Sequence, residues 1–155
     1  MQTIYFALFS LSLASCVKTI ETDPPEEAPA LAKVLSVAVS GEESAYRFNV
    51  EVESPDLGCD QYADWWEVIT EEGALVYRRI LAHSHVNEQP FKRSGSPVAI
   101  SVDQVVFIRA HMNNSGYGKD IVKGSVAGGF ERSLLVTDFA KELEVEEPLP
   151  KNCAF

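Results

Sequence analysis

From Lys33 onward the chain alternates apolar and polar residues with a period of two, the signature of strands with one buried and one wet face. KVLSVAVSG sets Val34, Ser36 and Ala38 against Leu35, Val37 and Val39. YRFNVEVES sets Tyr46, Phe48, Val50 and Val52 against Arg47, Asn49, Glu51 and Glu53. Gly41-Glu42-Glu43-Ser44 turns the chain between them, and Pro55 ends the second strand. ADWWEVIT follows, with Glu71-Glu72-Gly73 as a hairpin loop into ALVYRRILAHSH. PVAISV and QVVFIRAHM are predicted next, separated at Asp103-Gln104, and residues 113–118 turn the chain into DIVKGSV. Seven short strands at this spacing predict an all-β sandwich, with an open barrel as the rival. In the tail, Leu135, Phe139 and Leu143 recur every four residues, one stripe of a short helix.

The first thirty residues break the pattern. Ile4 to Leu13 is an apolar run interrupted only by Ser10 and Ser12. It is too short to cross a bilayer, which takes ~20 apolar residues, and has the length of a secretory signal core. Leu13-Ala14-Ser15-Cys16 resembles the lipobox of bacterial lipoproteins. The resemblance implies a signal peptide over 1–15, cleavage before Cys16 and acylation of Cys16. The competing reading is a free cysteine closing an ordinary signal peptide or a buried first helix. There are three cysteines. If lipid occupies Cys16, Cys59 and Cys153 remain as one disulfide pair, suited to an oxidising envelope compartment. Closing a loop of ~95 residues would contribute roughly 4 to 5 kcal/mol in the chain-entropy model.

Residues 16–30 then read as a lipid-anchored linker. Pro24, Pro25 and Pro29 stiffen it, and Glu21, Asp23, Glu26 and Glu27 keep it hydrated. Residues 31–127 form the sandwich, and 128–155 a tail packing back on it. The formal charge of −10 argues against a nucleic-acid partner, which needs clustered Lys and Arg. The expected location is the bacterial cell envelope, on the outer membrane, facing the periplasm or the surface.

VVFIRAHMNNSGYG is similar to the F strand and F–G loop of fibronectin type III domains, with Ile108-Arg109-Ala110, Asn113, Gly116 and Gly118 in matching positions. The resemblance implies an immunoglobulin-like strand order and carries no function with it.

Several constellations could carry chemistry. Asp56, Asp60 and Asp64 sit four residues apart in a loop entering a strand and could hold Ca²⁺, although the EF-hand spacing is absent; otherwise they make turns or lie solvated. No G-x-S-x-G elbow or phosphate loop occurs. On ADWWEVIT, Trp66 and Val68 suit the core, which turns Trp65 and Glu67 outward. The same parity places Val106, Ile108, Ala110 and Met112 inside, and Phe107, Arg109 and His111 outside. Trp65, Tyr77, Phe107, Arg109 and His111 thus form a candidate recognition face for a protein or glycan partner, unless the tail covers it. His83 and His85, two apart on a strand, could converge on one ion with Glu88 folding back. A fibronectin-like order would put His111 two strands away, ~10 Å off. The favoured reading is a non-catalytic binding or scaffold module with no cofactor; the alternative is a Zn- or Ca-binding envelope protein, hydrolytic through His83 and His85.

Overall fold

The computed structural model describes residues 30–154, so Cys16, the signal peptide and nearly all of the linker lie outside the described residues. Two antiparallel sheets pack face to face. The smaller joins β1 (Lys33–Ser40), β2 (Tyr46–Glu53) and β5 (Phe91–Val98) in the order β1-β2-β5. The larger runs β4-β3-β6-β8-β9, from β3 (Ala63–Thr70), β4 (Leu75–Ile80), β6 (Val106–Met112), β8 (Asp120–Ser125) and β9 (Gly129–Leu134). The two-residue β7 (Gly116–Tyr117) pairs with the end of β6. This is the sandwich expected, and β3 is flanked by β4 and β6 as predicted.

The core lies where the alternation puts it. Phe48, Val50 and Val52 from one sheet meet Trp66, Val68, Val106, Ile108, Ala110 and Met112 from the other, all buried. At ~25 cal/mol per Å² of apolar surface removed from water, such burial is the main force holding the sheets together.

Three boundaries differ from expectation. β4 stops at Ile80, so His83 and His85 lie in the loop beyond it and not on a strand. The reason is local: Leu81 N–H still bonds Asp64 O, but the backbone N–H of His85 is captured by Asp56 Oδ2 at 2.7 Å. The fifth strand is FKRSGSPV, not PVAISV. Its pairing with β2 skips between Tyr46 and Phe48, a bulge that accommodates Pro97 on an edge strand. Gly95 is required in it, because a Cβ there would lie 2.5 Å from the Tyr77 ring and 2.7 Å from that of Trp66. Finally, the sheet extends to Leu134 through β9, so the tail begins at 135 and not at 128.

That tail runs back across the outer face of the large sheet. It contains a 3-10 turn, Lys141–Val145, with Leu143 buried at its centre. Its far end is fixed by a disulfide between Cys153 and Cys59 and by Ala154 N–H to Ala82 O.

Candidate functional site

Both faces of β3 are buried, and the outer one carries a row of charge. In register across three strands stand Arg78, Glu67 and Arg109, each directly opposite the next. Each arginine sets Nε and Nη2 against one oxygen of Glu67: Arg78 at 2.7 and 2.6 Å from Oε2, Arg109 at 2.8 and 2.7 Å from Oε1. Burying three ions costs several kcal/mol each unless every donor finds an acceptor. The tail supplies the remaining acceptors from its backbone. Arg78 donates to the carbonyls of Leu143, Glu146 and Pro148, and Arg109 to those of Phe139 and Ala140. Trp65 and Tyr117 flatten against the guanidiniums, 4.5 Å from Arg78 and 3.4 Å from Arg109. Burial, followed by the neighbouring Glu67 carboxylate, pushes the Tyr117 hydroxyl well above the usual phenol range.

Beside this row the strand ends, the 113–117 loop and the tail enclose a cleft of about 910 Å³. His111 stands in its wall. Its ring stacks on Trp65 at 3.7 Å, and its Nδ1 donates to Asp64 Oδ1 at 2.7 Å. That bond turns Nε2 toward Glu144 Oε1, 3.8 Å away on the tail. Burial raises the Asp64 carboxyl, opposed by the hydrogen bond and charge of His111. Asn113 clamps the rim, accepting from Tyr62 N–H and donating to Cys59 O. Exposed Asn114, Asp138, Lys141, Lys151 and Asn152 also line it.

The structure therefore corrects the predicted recognition face. Trp65, Arg109 and His111 do lie on the outer side, but beneath the tail, at 3%, 1% and 7% exposure. Phe107 is half-buried, edge-on to Phe139. Tyr77 belongs to the inner side, 5.7 Å from Trp66, because it stands directly opposite Val68, which faces the core. Of these five, only Trp65 and His111 meet in the cleft.

The histidine pair, which only the alternative reading made an ion site, lies with its rings 4.6 Å apart. His85 is buried and stacked on Phe91 at 3.8 Å, while Glu88 is engaged by Arg93 through both oxygens. His83 turns its Nδ1 to Ser84 O. Among the described residues no three His, Cys, Asp or Glu side chains are grouped to hold a metal. The three aspartates also part company. Asp56 is buried, accepting from Ser54 Oγ, Ala63 N–H and His85 N–H; Asp60 is exposed; Asp64 serves His111. Arg78 and Glu144 were not singled out from the sequence. The signal for Arg78 was a cross-strand one: an arginine opposite Glu67 on either side.

No family model matches this chain, and no solved structure matches it. A protein of Halomicrobium mukohataei, provisionally named a lipoprotein, is 32% identical over 121 residues. The match covers 77% of this chain and 60% of that protein, so the chain spans less than two thirds of its relative.

Proposed function

We propose that this protein is a lipid-anchored, extracytoplasmic binding module of the cell envelope that recognises a glycan without catalysis of its own. The lipoprotein name of the relative supports the anchor, together with Leu13-Ala14-Ser15-Cys16, and the outer membrane is the proposed site where an envelope has two. The cleft carries the binding role. At about 910 Å³ it has the size of a ligand site, typically ~300–1,000 Å³. Its lining mixes amides with nearly balanced charge, Lys141 and Lys151 against Asp64, Asp138 and Glu144. Paired donors and acceptors of that kind suit an uncharged, hydroxyl-rich ligand better than an ionic one.

Two experiments test it. Cys16→Ser should abolish acyl labelling and release the protein from membranes; retention, with no lipid on the wild type, sinks the anchor. The full chain on an array of neutral glycans should bind at least one, with tenfold weaker binding for Asn114→Ala and Lys151→Ala together. An empty array alongside a cross-linked protein partner would replace the glycan with a protein.

A further inference from the structure

Residues 135–153 are held at both ends, by the chain at Leu134 and by the disulfide at Cys153. Between those ends the contact is made largely by main chain. Arg78 and Arg109 grip the carbonyls of Phe139, Ala140, Leu143, Glu146 and Pro148. The side chains add Leu143, which is buried, Phe139, edge-on to Phe107, and Glu144, 3.8 Å from His111, whereas Val136 and Val145 are 72% and 81% exposed. A guanidinium that reads carbonyl oxygens does not read sequence, so another segment that takes up the same turn can offer it the same atoms. What the tail covers is Trp65, Arg78, Arg109 and Tyr117, the residue types that dominate interface energetics.

We propose that 135–153 is a redox-latched strap, and that reducing Cys59–Cys153 lets it lift so that the Arg78–Glu67–Arg109 row docks a turn-forming peptide segment of a partner through its backbone carbonyls. This reading does not depend on the cleft's ligand. The reductant is a dithiol. One thiolate attacks a sulfur of the bridge to give a mixed disulfide; the second displaces it, leaving two protein thiols and the reductant as a disulfide. Both cysteines are partly exposed, which gives the attacking thiolate access. While the latch is closed the strap is confined to its site, at an effective concentration no free peptide matches. With one end loose it frays, and a competitor can enter.

Hydrogen exchange on the full chain, with and without dithiothreitol, tests the latch. Amides of 139–148 should lose tenfold or more of their protection on reduction, while those of β3 and β6 keep theirs. A change below twofold would mean that the arginines alone hold the strap. Loss across β3 and β6 as well would make the bridge a staple of the whole fold. Either result overturns the proposal. The docking half is tested with a fluorescent peptide of residues 137–150, TDFAKELEVEEPLP. It should bind the reduced protein, and the Cys59→Ser/Cys153→Ser variant without reductant, at least tenfold more tightly than the oxidised protein. Arg109→Lys, which keeps the charge and loses the fork, should weaken that binding. An opened strap that leaves the peptide unbound overturns the docking.

Discussion

The two faces of the large sheet are both buried at β3, yet they are held by different physics. The inner face meets the small sheet through Trp66, Val68, Ile108 and Met112, contacts that need only shape and apolar area. The outer face meets the 3-10 turn of the tail and its flanks through an ion row and five backbone carbonyls, contacts that need direction. An apolar layer degrades gradually as groups are removed. A buried ion row fails at once when one member goes, because its partners stay charged and dry.

The contrast can be pressed from the inner side first. Trp66→Ala should cost about 5 kcal/mol, the upper end for emptying a large aromatic site, read as the urea midpoint. On the outer side, Glu67→Gln should cost about 3 to 4 kcal/mol, since both arginines lose their counter-charge. The sharper comparison adds Glu67→Leu/Arg78→Met/Arg109→Leu: stability should recover toward wild type while amides of 139–148 exchange freely, because the sheet is repacked but the carbonyls have lost their donors. Recovery of tail protection would show that the ions are dispensable there.

Acid probes the loop beside these faces. Burial first, then the charges of Arg93 and His83, hold His85 down to about 4, from 6.5. Between those values the unfolded chain binds the proton and the folded one does not. Stability is therefore full above pH 6.5 and falls as pH drops toward 4, by up to about 3 kcal/mol. Asp64 works the other way, since its raised carboxyl takes its proton earlier in the folded state than in the unfolded one and adds stability as pH falls toward the ordinary carboxylate value. Unfolding curves from pH 7 to 4 should show the net loss, and His85→Phe, which keeps the stack on Phe91, should flatten it. The smallest effect belongs to Phe139→Ala. Losing its edge contact with Phe107 should cost about 1 kcal/mol and raise exchange in the tail alone.

The inner face was legible because alternation states it directly: every second residue of YRFNVEVES and VVFIRAHM points to one core. The outer face obeys the same alternation, but Glu67, Arg109 and His111 look the same in sequence whether water or a tail lies over them. The Leu135, Phe139 and Leu143 stripe announced a tail packing back, but the carbonyls that meet Arg78 and Arg109 are backbone, which all sequences share, so no residue type announced those contacts. Arg78 and Arg79 are adjacent and chemically equal; only register decides that Arg78 faces Glu67. His83 and His85 misled for a related reason. Their strand parity was sound, but Asp56, 29 residues before His85, takes the backbone N–H that would have continued the strand.

Leu31, just ahead of the first strand, lines the same cleft as His111 and Glu144. Its neighbour Ala32 is pressed on Gly118, where a Cβ would come within 1.8 Å of the Ala32 carbonyl oxygen, so the backbones touch with nothing between them. The chain therefore leaves the domain at the pole where the cleft opens. In mechanical terms, a pull on residue 30 and a grip in the cleft meet across a few residues. On the proposed reading, the tether and the ligand of the cleft would therefore be neighbours, at one end of the sandwich.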